Sequence, residues 1–121
     1  MSEPIKIYRD LVAWQKAFAL GTTLHEIAGG LPEGERFGLV AQIRRLSIDL
    51  ASDIAQGYGR GNTADYLWFL KSARGNLYKA DTQLLFALHF KYLPQQRYDK
   101  VKADLDECER VLAGLIRSLG G

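Results

Sequence analysis

Two stretches of this chain step their apolar residues 4-3-4-3, and no proline falls inside either. In the first, Tyr66, Leu70, Ala73, Leu77, Ala80, Leu84 and Ala87 recur in that rhythm. In the second, Val101, Leu105, Cys108, Leu112, Leu115 and Leu119 do the same. Steps of three and four return to one face of an α-helix, whereas a strand needs alternation by two. A helix with one apolar seam must bury it against other helices. Two earlier stretches supply them. Leu11, Trp14, Phe18, Leu24 and Ala28 form one seam; Leu39, Ile43, Leu46, Leu50 and Ile54 form another, widened by Val40, Ile48, Ala51 and Ala55.

The breaks between these segments are sharp. Gly29-Gly30-Leu31-Pro32-Glu33-Gly34 and Gly57-Tyr58-Gly59-Arg60-Gly61-Asn62 read as loops, and Leu93-Pro94 as a short stop. Asp10 is placed to cap the first helix, Asn62 with Asp65 resembles a capping pair, and Gly120-Gly121 is a helix stop. The expected helices cover roughly 10–29, 35–57, 63–92 and 95–119, the third of them about 45 Å long at 1.5 Å per residue. Short connections favour antiparallel neighbours, so the expectation is an all-α, up-down-up-down four-helix bundle in a single domain of 121 residues.

The sequence shows no sustained alternation by two, no apolar run long enough to cross a bilayer, and no apolar leader core in Met1–Tyr8. Cys108 has no partner for an internal disulfide, which points to a reducing cytoplasm. The second helix is apolar around much of its circumference. The third has a second apolar set: Leu67, Phe69, Leu85, Leu88 and Phe90. In so small a domain the extra face predicts a subunit interface, hence a homo-oligomer.

No catalytic or metal site is legible, and no cofactor is expected. His25 and His89 lie in different helices without a second ligand at helical spacing, and no HExxH, CxxC or EF-hand loop occurs. Cys108 falls on the seam of the fourth helix, as a structural thiol does. The glycines around Arg60 lack the strand and the Gly-Lys-Ser/Thr ending of a phosphate loop. Asp99, Asp104, Asp106, Glu107 and Glu109 make an acidic face on the fourth helix.

The net charge is only +2, but its placement is uneven. Trp68, Lys71, Gly75, Tyr78 and Thr82 lie along one line of the third helix, with Arg74 and Lys79 beside it. Arg44 and Arg45 are on the second helix, and Arg60 is in the loop between the two. Cations neutralise phosphates and flat rings stack on bases, so this set is a candidate for RNA or DNA. The competing reading pairs Arg45 with Asp49, leaves Lys71 and Lys79 solvated, and makes Trp68 interface core.

Several of these runs match one bacterial pattern. They are Trp14-Gln15-Lys16, Pro32-x-x-Glu35-Arg36-Phe37-Gly38-Leu39, Gln42-Ile43-Arg44-Arg45 and Ile54-Ala55-Gln56-Gly57-Tyr58-Gly59-Arg60. Phe69-Leu70, Ala73-Arg74-Gly75 and Thr82-Gln83-Leu84 complete it. In them the chain resembles the four-helix-bundle family of proteins encoded in intervening sequences of large-subunit ribosomal RNA genes, from about Ile7 to Leu119. The resemblance implies a ring-shaped homopentamer. It also implies kinship with the accessory variability determinant of diversity-generating retroelements, a basic pentamer that binds nucleic acid and a reverse transcriptase. The chain departs from the pattern at Asp53, where the family has asparagine, and at Gln56 and Lys79, where the family has glutamate. The sum is about two charges more positive per subunit, which an oligomer multiplies. These three positions read first as interhelical polar partners.

Two functions remain open. One is a non-enzymatic, oligomeric nucleic-acid-binding accessory protein, with a reverse transcriptase as a candidate partner. In it Arg44, Arg45, Arg60, Lys71, Arg74 and Lys79 contact phosphates while Trp68 and Tyr78 stack or pack. The other is an oligomeric scaffold that binds protein alone, to which the acidic and apolar faces fit equally well.

Overall fold

The computed structural model describes residues 4–121, and four helices carry most of them. They are α1 (Val12–Gly29), α2 (Leu39–Gly59), α3 (Thr63–His89) and α4 (Gln95–Ser118). Single 3-10 turns at Tyr8–Asp10 and Glu33–Glu35 precede α1 and α2. No strand occurs among the described residues, and none of their helices is long and apolar enough to cross a membrane. Part of the N-terminal stretch expected to lack a leader, residues 1–3, lies outside the described residues.

Each helix packs on two others: α1 and α3 both pack on α2 and α4, and the diagonal pairs do not meet. Cross-helix bonds show the directions. Gln83 Nε2 donates to Gln42 Oε1 (2.8 Å) and Asn76 Nδ2 to Asp53 Oδ2 (2.9 Å), so α2 and α3 are antiparallel. Tyr78 Oη donates to Glu109 (2.7 Å) and Tyr98 Oη to Asp81 (2.7 Å), so α3 and α4 are antiparallel too. The heptad residues of α3 from Leu70 to Ala87, and those of α4 from Val101 to Leu112, are buried in one core. Burying a side chain such as Leu70 or Leu84 contributes about 1.5–3 kcal/mol.

Glycines set the tightest approaches. A Cβ on Gly21 of α1 would overlap the Ser47 carbonyl oxygen of α2. A Cβ on Gly57 of α2 would lie 2.7 Å from Phe69 Cβ and 3.2 Å from the Tyr66 ring of α3. The bundle closes on these two seams because the backbones can come together where no side chain intervenes.

Four local expectations are corrected. The Asp10 carboxylate does not cap α1; it accepts from the amides of Lys6 (2.9 Å) and Ile7 (3.2 Å) and so closes the preceding turn. α2 begins at Leu39 rather than 35, because Gly38 is non-helical (φ −106°, ψ −109°) and residues 33–35 form their own turn. α3 ends at His89 rather than 92: Lys91 takes a left-handed conformation (φ 65°), and Tyr92 N donates back to Ala87 O (2.9 Å). In α1, Phe18 is not core but 54% exposed; the buried seam is Ala13, Ala17, Leu20, Leu24 and Ile27. Both stripes obey helical spacing. The alanine stripe is the one that lets α1 approach as closely as Gly21 requires.

The other ends follow the sequence. Asn62 Oδ1 accepts from Asp65 N (2.8 Å) at the start of α3. Gly120, at φ 86°, ends α4: its N donates to Arg117 O (3.0 Å) and Gly121 N to Ile116 O (3.0 Å), the bond pair that closes a helix on a left-handed residue.

Candidate nucleic-acid interface

The six candidate cations fall into three places. Arg60 sits in the α2–α3 turn, its Nε donating to Asp65 Oδ2 (3.2 Å) and its guanidinium 5.9 Å from the centre of the Phe69 ring. Its charge is therefore engaged in locking the turn. Bonds from Asn62 and Arg60 hold the Asp65 carboxyl below the usual range. Arg44 points the other way, toward the α1–α2 loop, with Nη2 near Gly29. Arg45 is exposed on α2, and the expected Arg45–Asp49 pair is absent from the ion pairs of the described residues.

Lys71, Arg74 and Lys79 share α3 and make no ion pair with any described carboxylate. Lys71 and Lys79 are exposed and Arg74 half-buried. Trp68 lies one turn before Lys71, 65% exposed, with its ring edge-on to Phe69 at 4.9 Å. It is not core within the subunit. The Tyr78 ring is exposed, but its hydroxyl is tied to Glu109, and that bond, more than burial, pushes its pKa up. Gly75 is exposed at the middle of this face, and a Cβ there would meet nothing within 4 Å. From Trp68 to Thr82 the face runs about 21 Å at 1.5 Å per residue.

The acids of α4 are mostly engaged inside the subunit. Lys102 Nζ bridges Asp81 (3.2 Å) and Asp106 (3.0 Å). Arg110 grips Glu107 through two bonds, at 3.1 and 2.7 Å. Lys16 adds a longer contact to Glu107 (3.9 Å), and Asp99 accepts from Gln95 (2.8 Å). Among the three departures from the family pattern, Asp53 is an interhelical partner, accepting from Ser72 (3.3 Å) and Asn76 (2.9 Å). Gln56 and Lys79 are exposed and make no side-chain hydrogen bond among the described residues. Burial raises the Cys108 thiol to about 11, as suits a packed, unreactive sulfur. The described residues hold no cluster of three His, Cys, Asp or Glu able to bind a metal.

One surface was hidden from the periodicity. Between α1 and α2 lies an open groove of about 490 Å³, walled by Tyr8, Trp14, Phe18, Ile48, Ala51 and Ala55. Trp14 and Phe18 stack along its α1 wall at 5.0 Å, and Ile48 on the α2 side is 63% exposed. Its sequence signal was part of the surplus apolar set on α2: Val40 and Ala51 join the core, while Ile48 stays exposed and Ala55 half-buried.

Comparison with known proteins agrees with this architecture. Residues 9–114 match the family described as 23S rRNA-intervening sequence protein. No curated protein matches the chain. A crystal structure of a protein of unknown function from the S23 ribosomal protein family of Bacteroides thetaiotaomicron superposes with a TM-score of 0.81. That protein is 18% identical, and the match covers 88% of this chain and 96% of the other. At that identity the likeness speaks for the fold alone, while the family match spans nearly the whole bundle. The chain belongs to the 23S rRNA-intervening sequence protein family.

Proposed function

We propose that this protein is a non-enzymatic, oligomeric accessory protein that binds nucleic acid through the outer face of α3. One observation carries the reading: Lys71, Arg74 and Lys79 stand without described carboxylate partners on the same exposed face as Trp68 and Gly75. A helix interior without a Cβ loses about 1 kcal/mol relative to alanine, so an exposed Gly75 that nothing in the subunit requires needs another reason. Close approach of a ligand's backbone to the helix is such a reason. Phosphates would sit against the three cations, and the indole of Trp68 offers a stacking platform for a base. Three contacts per subunit are weak alone, and an oligomer raises them by avidity. The resemblance to the retroelement accessory protein makes a reverse transcriptase the partner protein to test. The scaffold reading then rests on the exposed apolar faces more than on the α4 acids, most of which have partners within the chain.

The test is fluorescence anisotropy with labelled RNA and DNA over a salt series. Three phosphate contacts on a single strand give a log–log salt slope of about −2 per subunit engaged. The double variant Lys71→Glu/Arg74→Glu should weaken binding by about 10- to 100-fold at low salt. Unchanged affinity in that variant, or no binding by the parent at low salt, would remove this face from the function.

A further inference from the structure

We infer that the outer face of α3 takes a single strand of nucleic acid rather than a duplex, because Phe86 and Phe90 form a second ring platform in line with Trp68. The inference rests on the proposed nucleic-acid function and names its substrate class.

Helical phase puts the two platforms on one line. Trp68 and Phe86 are eighteen residues apart, about five turns at 3.6 residues per turn. Gly75 and Lys79 stand between them, within about 20° of that line at 100° per residue. Lys71 flanks the line on one side and Phe90 on the other. From Trp68 to Phe86 it runs about 27 Å, the length of about eight nucleotides of a stacked strand at 3.4 Å each.

The rings are free on their outer side and braced by neighbours. Trp68, Phe86 and Phe90 are 65%, 51% and 47% exposed, and none belongs to the core. Phe86 and Phe90 lie 5.9 Å apart and 30° from parallel, which makes one broad shelf. Phe90 leans on Tyr92 (5.7 Å), whose hydroxyl donates to Glu35 (3.1 Å), while Trp68 rests on Phe69. A ring already held in place loses little freedom when a base stacks on it.

Between the platforms the free charge of α3 has one sign. Its two acids are engaged, Asp65 by Arg60 and Asp81 by Lys102, whereas Lys71, Arg74 and Lys79 pair with no described carboxylate. A strand laid along this face meets a base platform, a cationic middle and a second base platform. Only an unpaired base has a free face to offer a ring. In a duplex the bases are stacked on one another, so Phe86 and Phe90 would stand against sugar and phosphate. A phosphate there would lose water and gain no hydrogen bond in return. The order of rings and cations thus turns a general attraction for phosphate into a preference for single strands.

Fluorescence anisotropy on the full chain tests it, with a labelled strand of about twelve nucleotides, alone and annealed to its complement, as RNA and as DNA. The parent should bind the single strand about tenfold tighter than the duplex. Phe86→Leu/Phe90→Leu keeps the apolar bulk and removes the flat rings. It should weaken the single strand about tenfold, leave the duplex within about twofold, and keep the salt slope, because no phosphate contact is lost. Trp68→Leu should do the same, and both sugars should rank the variants alike. Equal affinity of the parent for the two forms, or a leucine variant that binds the single strand as the parent does, would overturn the inference. So would a leucine variant that loses both forms alike or shifts on size-exclusion chromatography, because the rings would then belong to a subunit contact. Circular dichroism controls for folding. Should the double change unfold, Phe90→Leu carries the same comparison. Lys71→Glu/Arg74→Glu should weaken both forms, so the proposed function fails on that variant and the strand preference on the leucine ones.

Discussion

The α1–α2 crossing and the outer face of α3 each turn on a glycine, and the two glycines mean opposite things. Gly21 is buried, and its missing Cβ is occupied by the Ser47 carbonyl of the neighbouring helix. Gly75 is exposed, and its missing Cβ faces open space. Both lower the intrinsic propensity of their helix by about 1 kcal/mol relative to alanine. At Gly21 the loss is offset inside the subunit by close packing. At Gly75 the subunit receives nothing for it. The nucleic-acid face proposed above would supply a reason for glycine there that the subunit does not.

The largest effect that could break this contrast is at Gly21. Gly21→Ala must push α1 off α2 along a seam where both backbones are fixed. The expected loss is about 3 kcal/mol or more, since overpacking against backbone cannot be relieved by a rotamer change. In a domain of this size that lowers the melting temperature by more than about 10 °C. Thermal unfolding followed by circular dichroism reads it directly. A loss under about 1 kcal/mol would mean the crossing is looser than the geometry states.

The mirror experiment is Gly75→Ala. It should stabilise the isolated subunit by about 1 kcal/mol, or a few degrees in melting temperature, while weakening nucleic-acid binding. Stabilisation with full affinity would keep the helix argument and remove the ligand argument. Destabilisation would show that Gly75 has a role within the subunit after all.

These two positions also mark what the sequence could and could not tell. The α3 and α4 seams were legible because heptad spacing leaves one choice of face. Leu70, Leu77, Leu84, Val101, Leu105 and Leu112 are all buried as that spacing requires. In α1, spacing alone could not separate the Trp14–Phe18 stripe from the Ala13–Ala17 stripe, because both recur every four residues. Hydrophobicity favoured the aromatics; the tight crossing at Gly21 favoured the alanines, and tertiary packing won. The cations were found by type, but not by partner. Arg60 and Lys71 look alike in a sequence, and only the fold shows that Arg60 is held by Asp65 while Lys71 is not.

A smaller effect concerns where α3 ends. Lys91 adopts a left-handed conformation that a side chain disfavours by about 1 kcal/mol. Lys91→Gly should therefore stabilise the fold by up to about 1 kcal/mol, measured by urea unfolding. It lies outside the proposed cationic face, so affinity for RNA should hold. A simultaneous loss of affinity would extend the cationic face past Lys79 to this end of the helix.

The smallest effect lies at Asp53, which faces inward on the α2–α3 seam. Burial raises its pKa above the ordinary 3.8, and the nearby Asp49 adds to the rise, while bonds from Ser72 and Asn76 oppose it. A carboxyl whose pKa is higher in the folded state binds its proton more tightly there than in the unfolded chain. Its favourable contribution is then present at low pH and lost as pH climbs from 3.8 through the raised value. At neutral pH the ionised group carries the full penalty. Asparagine, the residue of the family pattern at this position, keeps an oxygen that can accept from Ser72 and Asn76 and carries no charge to desolvate. Asp53→Asn should accordingly be the more stable protein at about pH 7, by a modest margin because the site is partly solvated, and the gap should close toward about pH 4. If the variant were instead the less stable at neutral pH, the carboxylate would be supplying a favourable charge interaction to α3. The charge on that helix would then serve the seam as well as the outer face, and the division between an inward side built for the fold and an outward side kept for a ligand would fail.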